Sequence, residues 1–152
     1  MGRFVERGGL WVAGQAPLMI AAFGLPAWLD SLASGPQRWI GLALFIAGLA
    51  LGGWSRHALG KSFTPFPRPV EAGTQATHGP YRWVRHPIYS GIVLSAAGWA
   101  LAWQSWAGAA MSAALFVFFD MKARREEAWL ADAYPGYAEY KRRTRKLVPF
   151  VY

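Results

Sequence analysis

Residues 88–119 read IYSGIVLSAAGWALAWQSWAGAAMSAALFVFF, an uncharged stretch with a short polar break at Gln104 and Ser105. A helix needs about 17–25 mostly apolar residues to cross a bilayer. The first half has that length, and the second half is short unless its interfacial end is counted. Because so few residues separate the halves, we predict an antiparallel helical hairpin.

Two more uncharged apolar blocks precede the hairpin. None of the blocks has the polar face at helical spacing that a water-soluble helix bundle would show. Only 16% of the residues are charged, against roughly 25% in soluble domains. We therefore predict an all-α polytopic membrane protein that forms one domain over residues 1–152. The expected spans are about 10–29, 39–54, 88–106 and 107–121.

The basic residues indicate how the chain is oriented. Fifteen of the 16 Lys and Arg residues lie in segments 1–9, 55–87 and 120–152, and Arg38 is the exception. Short loops rich in Lys and Arg stay cytoplasmic, so both termini should face the cytoplasm. The net charge of +8 then favours contact with anionic lipid headgroups rather than nucleic acid. A cleaved signal peptide ending near residues 32–34 is the alternative for the first block.

Composition excludes several kinds of chemistry. The chain has no Cys, so disulfides, thiolate nucleophiles and sulfur-ligated metal sites are excluded, and no metal site is predicted. Aromatic residues make up 16% of the chain, which excludes a disordered protein. The sequence leaves the oligomeric state open.

The polar loop of residues 56–87 contains five prolines and is expected to run extended. Its end places Arg85, His86 and Tyr89 at the cytoplasmic start of the third span, with Pro87 near the first helical turn. Free backbone N–H groups at a helix start can hold a carboxylate. Anchoring at the membrane interface by aromatic and arginine side chains is the alternative.

A second polar cluster follows the fourth span. We expect residues 119–132 to stay helical, which puts Lys122, Glu126 and Leu130 on one face. The alternative is a solvated helix end stabilised by salt bridges. Residues 134–137 should break this helix, and residues 137–143 form a further amphipathic stretch.

The adjacent residues Glu126 and Glu127 should point in different directions. Either Arg124 or Arg125 could pair with one of them. A carboxylate beside a membrane span is costly unless it is paired, so we expect a specific partner for one glutamate.

Residues 79–91, GPYRWVRHPIYSG, closely resemble the R-H-P-x-Y signature of integral-membrane methyltransferases. These are the isoprenylcysteine carboxyl methyltransferase and phospholipid methyltransferase families. The second half resembles them too, with E-E-x-x-L at 126–130, Y-x-x-Y at 137–140 and a terminal Pro149. The resemblance spans roughly residues 62–150, with its two motifs in the expected order around the hairpin.

The resemblance implies an S-adenosylmethionine cofactor in a cytoplasmic pocket. The pocket would form between the segment before the third span and the chain after the fourth. The segment 73–77 takes the place of a further cofactor-contacting segment, and backbone N–H groups around His86 with a nearby Arg would suit the cofactor's carboxylate. The cofactor-binding residues that the resemblance implies are Tyr81, His86, Pro87, Tyr89, Glu126, Leu130 and Tyr137.

The resemblance also implies roles in catalysis. His86, Glu126 and Arg85 are the expected catalytic residues, and Lys122 and Arg125 the expected substrate contacts. Lys122 stands where isoprenylcysteine methyltransferases have an arginine that meets the substrate carboxylate. A lysine keeps the positive charge but cannot make the bidentate hydrogen bonds of an arginine. An amine or phenol acceptor would need a base, for which His86 is the nearest candidate.

The predicted function is S-adenosylmethionine-dependent methyl transfer to a lipid-like or small hydrophobic acceptor. In-line methyl transfer mainly requires alignment and a dry site. We expect it at the cytoplasmic face of a bacterial inner membrane. The alternatives are a phospholipid N-methyltransferase, an isoprenoid or sterol-type reductase, and a membrane scaffold without enzymatic activity.

Overall fold

A computed structural model describes residues 2–69, 73–149, 151 and 152. Throughout this part of the chain the regular structure is helical, apart from one isolated bridge between Val84 and Arg145. Short 3-10 turns lie at Gly60–Ser62 and Gly79–Arg82. The α-helices are α1 (Gly2–Glu6), α2 (Gly9–Leu29), α3 (Pro36–Leu59), α4 (Pro87–Ala102), α5 (Trp106–Ala133) and α6 (Tyr137–Arg143).

The helix boundaries follow from residues that start and stop helices. Pro36 and Pro87 are the first residues of α3 and α4, where a fixed φ and a missing N–H carry no penalty. Gly60 ends α3 with a φ of 54°, a conformation that favours glycine. Ser105 caps α5 by accepting a hydrogen bond from the Gly108 N–H at 3.0 Å.

The predicted hairpin is confirmed. Only residues 103–105 separate α4 from α5, and the two helices pack against each other. The predicted helical continuation beyond residue 119 is also confirmed, since α5 runs to Ala133. The break at residues 134–136 and the amphipathic α6 follow as expected. The extended loop predicted for residues 56–87 departs from the structure in two ways: α3 continues to Leu59, and 3-10 turns lie at Gly60–Ser62 and Gly79–Arg82.

The closest helix packing is between α3 and α4, and it depends on glycines. A Cβ atom at Gly48 would lie 2.5 Å from the Gly91 carbonyl oxygen, and one at Gly98 would lie 2.4 Å from the Phe45 nitrogen. The helices could not approach this closely with larger residues at these positions. Ser95 Oγ also donates a hydrogen bond to the Phe45 carbonyl at 3.2 Å.

Helix α2 packs on the other side of the hairpin. The buried core includes Ala22 from α2, Ala96 from α4, and Leu115 and Phe119 from α5. The indole N–H of Trp99 donates a hydrogen bond to the Phe23 carbonyl at 2.8 Å. The order of packing is therefore α3, α4, α5, α2, and the polar end of α5 projects beyond the apolar bundle.

Two helical segments are long and apolar enough to cross a membrane: α2, and Pro36–Ser62, which is α3 with the turn after it. Helix α4 is apolar but shorter, so the four-span count stays a prediction. Large apolar side chains face outward on both long helices, as with Trp28 at 81% and Ile46 at 62% exposed. Extended exposed apolar surface of this kind marks contact with lipid or another apolar partner.

Candidate functional site

The candidate site is a cavity on the side of the molecule where the charged helix ends meet. Its empty volume is about 1070 Å³, including the solvent space at its open mouth. Its walls come from α2, from loop residues between Ser62 and Ala76, from the start of α4, and from α5 and α6. The cavity therefore joins segments that are far apart in the sequence.

The two motifs meet in this cavity through a hydrogen bond. Tyr89 Oη, in the first turn of α4, donates to Glu126 Oε2 of α5 at 2.7 Å. The Tyr89 ring stacks between His86, at 5.4 Å between ring centroids, and Phe119, at 4.6 Å. These contacts fix the Glu126 carboxylate at the cavity wall beside aromatic faces.

His86 lies between the two glutamates. Its Nδ1 is 3.7 Å from Glu126 Oε2, and its Nε2 is 3.3 Å from Glu127 Oε1. The geometry of the second contact does not satisfy a hydrogen bond, so the buried Nε2 atom has no hydrogen-bond partner in the described structure. The imidazole is thus held by stacking on Tyr89, with one nitrogen facing each glutamate.

Glu127 belongs to a buried ionic cluster rather than to the cavity. Arg85 Nε donates to Glu127 Oε1 at 2.7 Å, and Lys141 Nζ lies 2.8 Å from Glu127 Oε2. Burial favours the protonated acid, but the contacts with His86, Lys141 and Arg85 outweigh it and hold the pKa of Glu127 well below its ordinary value. The Glu127 carboxylate is therefore ionised at neutral pH and ties α5 to the segment before α4.

Arg85 makes three hydrogen bonds within this cluster. Besides Glu127, its guanidinium donates to the Lys141 carbonyl at 3.1 Å and to the Thr144 carbonyl. Arg85 lines the cavity, but these bonds direct its charge toward the end of α6. These bonds support a structural role for Arg85, which the sequence predicted as a catalytic residue.

The C-terminal segment covers the backbone before α4. The Arg85 N–H donates to the Arg145 carbonyl at 2.8 Å, and the His86 N–H donates to the Lys146 carbonyl at 3.1 Å. The expectation that N–H groups around His86 hold a ligand carboxylate is therefore wrong for these two amides. The Arg85 Nε and Nη1 atoms are occupied as well, so a carboxylate site built from the other donors near His86 stays a prediction.

Lys122 provides a cation deep in the cavity wall. Its side chain is 1% exposed. Lys122 Nζ donates to Gln15 Oε1 of α2 at 2.7 Å and to the Pro65 carbonyl at 3.1 Å. The Tyr89 ring centroid lies 5.2 Å from the same nitrogen. Lys122, an expected substrate contact, is thus held in place by hydrogen bonds to α2 and to the loop between α3 and α4.

Three tyrosines close the opposite wall. Tyr140 Oη donates to the Tyr81 carbonyl at 2.7 Å, and the buried Tyr137 Oη has no hydrogen-bond partner in the described structure. Burial raises the pKa of Tyr137 and of Tyr140 above the ordinary value. Both phenols are therefore protonated at neutral pH, and Tyr137 Oη can donate to a ligand.

Most residues predicted for the site do converge on the cavity. Two do not line it: Pro87 is buried at the start of α4, and Arg125 stacks over the Trp129 ring at 4.7 Å. The predicted segment 73–77 contributes to the wall. The predicted residues that line the cavity are Tyr81, Arg85, His86, Tyr89, Lys122, Glu126, Leu130 and Tyr137.

The expected arginine–glutamate pairs on α5 are wrong. Arg124 Nε binds Asp120 Oδ2 at 2.7 Å instead of a glutamate. Asp120 also accepts from Lys146 Nζ at 2.6 Å and from Tyr152 Oη at 2.9 Å. This second cluster fastens the end of the chain to α5, away from the cavity.

Sequence reasoning missed Gln15 and Pro65 as residues of the cavity wall. Gln15 is the one amide in an otherwise apolar helix, and a polar residue within a membrane helix is by itself a signal of function. Pro65 contributes its backbone carbonyl, which no side-chain pattern could reveal.

Comparison with known proteins gives three findings. The family model for phospholipid methyltransferases matches residues 36–136. The cobalt-zinc-cadmium resistance protein CzcN of Cupriavidus metallidurans is 34% identical over 125 residues, which is 80% of this chain and 58% of that protein. The solved eukaryotic intramembrane Ras methyltransferase ICMT, an isoprenylcysteine carboxyl methyltransferase, matches with a TM-score of 0.70 and 22% identity.

The structural match covers 96% of this chain and 53% of ICMT. The chain thus spans little more than half the length of either relative, and the likeness to ICMT shows the fold: an all-helical bundle of the same arrangement. The family match covers the R-H-P-x-Y at 85–89, the E-E-x-x-L at 126–130 and the hairpin between them, and it ends before the Y-x-x-Y at 137–140. The chain therefore belongs to the phospholipid methyltransferase family.

Proposed function

We propose that this protein transfers a methyl group from S-adenosylmethionine to an amphiphilic, lipid-like acceptor. The observation that carries the proposal is the contact between Tyr89 and Glu126, which joins the two motifs at the wall of one large cavity. Membership of the methyltransferase family supports the reaction class. The proposal covers a single domain over residues 1–152, with its motif core in residues 62–150.

The residues present fit a cationic nucleoside cofactor. Glu126 presents a carboxylate 23% exposed at the cavity, and the faces of Tyr81, Tyr89 and Tyr137 can contact positive charge. The Tyr137 hydroxyl is a buried polar atom without a partner in the described structure, and because Tyr137 lines the cavity, a bound ligand would satisfy it. When bound, S-adenosylmethionine supplies an activated methyl group on a sulfonium centre.

His86 is the group that can move a proton. Its ring lines the cavity, and two carboxylates flank it, Glu126 Oε2 at 3.7 Å from Nδ1 and Glu127 Oε1 at 3.3 Å from Nε2. We propose His86 as the base for an amine or phenol acceptor, a step that a carboxylate or thiolate acceptor does not require.

We also propose the membrane arrangement. The four apolar helices cross a bacterial inner membrane, with both termini and the cavity on the cytoplasmic side. The distribution of Lys and Arg supports this orientation. An apolar acceptor would then reach the cavity from the lipid, and the soluble cofactor would reach it from the cytoplasm.

Binding of S-adenosylhomocysteine, the demethylated product, tests the proposal. Wild-type protein in detergent should bind it in a calorimetric titration, and Glu126→Gln should weaken binding about tenfold or more, equivalent to about 1.4 kcal/mol. The matched control is Glu139→Gln, because Glu139 pairs with Arg142 and Arg143 on the exposed face of α6. That control should bind as wild type does.

Three outcomes would contradict the proposed function. Saturable binding of a nicotinamide nucleotide in place of S-adenosylhomocysteine would favour the reductase alternative. The absence of heat with either ligand would favour the scaffold. If Glu126→Gln binds as tightly as Glu139→Gln, the cofactor site is not where we place it. Labelled methyl transfer to phosphatidylethanolamine, a prenylated thiol and a simple thiol then identifies the acceptor class.

A further inference from the structure

Helix α2 lies outside the part of the chain that the family model matches, residues 36–136, yet it reaches the cavity. It does so through Gln15, the one side chain of α2 with a carboxamide or a charge. The remainder of the helix is apolar except for the indole N–H groups of its tryptophans. A single amide side chain in an otherwise apolar helix is expected to have a specific hydrogen-bond partner.

The partner is a buried cation. In the described part of the chain, no carboxylate oxygen pairs with Lys122 Nζ within 4.0 Å, and its hydrogen bonds go to the neutral oxygens of Gln15 and Pro65. Glu126, one turn along α5, binds Tyr89 instead. A buried ammonium group costs several kcal/mol unless a negative charge compensates it. The Glu126 charge acts on Lys122 only at longer range, so an anionic ligand group in the cavity could supply a charge in direct contact with it.

The hydrogen bonds of Lys122 also limit where it can bind that ligand. An ammonium group has three donors, and Gln15 Oε1 and the Pro65 carbonyl accept from two of them. The third N–H has no hydrogen-bond acceptor among the described residues, and both Lys122 and Gln15 line the cavity. The Gln15 amide nitrogen makes only a long contact, at 3.5 Å, with the Met19 sulfur.

We propose that Gln15 is a positioning residue, which holds the Lys122 ammonium group so that its remaining N–H binds the anionic head of an amphiphilic acceptor. Helix α2 is then part of the acceptor site and not only an anchor. The inference rests on the proposed function, because it assigns the acceptor end of the same cavity.

The test uses two probes that differ in head-group charge, dodecanoate and dodecanol, added to the detergent-solubilised protein saturated with S-adenosylhomocysteine. Gln15→Met should weaken dodecanoate binding by about tenfold or more, as expected when a charged hydrogen bond is lost. Its affinities for dodecanol and for S-adenosylhomocysteine should stay within about twofold of wild type. The matched control Gln37→Met, at the exposed start of α3, should change none of them.

A double-mutant cycle separates positioning from packing. Lys122→Met should remove the preference for dodecanoate, and adding Gln15→Met to it should cause no further loss, since Gln15 acts through Lys122. Additive losses would overturn the inference, and so would equal losses for dodecanoate and dodecanol in Gln15→Met.

If the Gln15→Met variant does not fold, Gln15→Glu replaces it. The introduced carboxylate should pair with Lys122 and abolish the dodecanoate preference, and an intact preference would overturn the inference.

Failure of the proposed function has a different signature. Wild-type protein that does not bind S-adenosylhomocysteine contradicts the cofactor assignment. The dodecanoate and dodecanol titrations can then be run without it, and they still report on Gln15 and Lys122.

Discussion

At the scale of single residues, Glu126 and Glu127 are neighbours in the sequence with different surroundings. Glu126 faces the cavity and binds Tyr89, whereas Glu127 is 5% exposed and binds Arg85 and Lys141. The sequence predicted that the two side chains diverge, because adjacent helical residues point about 100° apart. It could not predict which carboxylate meets Arg85, because that depends on where the loop before α4 crosses α5.

The ionic cluster gives a prediction about pH and stability. Because its pKa in the folded protein lies well below the ordinary value, Glu127 stabilises the fold fully above about pH 4.3, the usual pKa of a glutamate. This stabilisation is lost as the pH falls from there toward the lower pKa of the folded state. Glu127→Gln should lower the stability at pH 7 by about 3 kcal/mol, since Arg85 is left in a buried site without its charge partner.

Thermal unfolding in detergent between about pH 3.5 and 7 measures both effects. The wild-type unfolding temperature should fall at the acid end, and the fall should be smaller in Glu127→Gln. The control is Glu139→Gln on exposed α6, which should keep the wild-type pH profile. Equal profiles for wild type and Glu127→Gln would contradict the assigned role of this carboxylate.

At the scale of helices, the α3–α4 pair shows what a motif of small residues can and cannot predict. Gly48 and Gly52 form a G-x-x-x-G, a spacing typical of closely packed helices, and α3 does pack closely through Gly48. The two glycines differ, however, because a Cβ at Gly48 would meet Gly91 and Ser95, whereas one at Gly52 would meet nothing within 4 Å. The rotation of α3 about its axis decides this difference, and the spacing of the motif does not encode it.

These two glycines form a matched pair for mutation. Gly48→Ala should destabilise the protein by about 1–3 kcal/mol, because the added methyl group overlaps backbone that cannot move away without separating the helices. Gly52→Ala should leave stability unchanged or raise it by up to about 1 kcal/mol through helix propensity. Unfolding temperatures of the two variants in one detergent check the contrast. A destabilised Gly52→Ala with a stable Gly48→Ala would place the α3–α4 contact on the wrong face of α3.

At the scale of the whole molecule, charge patterning and motif order predicted much of the site, because apolar blocks and basic flanks are local properties. The C-terminal segment could not be predicted in the same way. Its carbonyls at Arg145 and Lys146 accept the N–H groups of Arg85 and His86, and backbone pairing of this kind depends on chain path rather than on residue type. The same holds for Gln15, which meets Lys122 across 107 positions of sequence.

This closure of the chain on itself has a consequence for membrane topology. Because residues 84–86 bind residues 145–146 directly, the loop before α4 and the segment after α5 must lie on one side of any membrane that the bundle crosses.

Cysteine labelling can test this topology. The chain has no Cys, so single introduced cysteines report their position without a background signal. His78→Cys and Ala138→Cys, both at exposed positions, should react with an impermeant maleimide only in inverted vesicles, whose cytoplasmic face is outward. Ser34→Cys, exposed in the turn between α2 and α3, should react only from the opposite side. If His78→Cys and Ala138→Cys react from different sides, the cavity cannot form as described, whereas a shared reversal of both would overturn only the proposed cytoplasmic orientation.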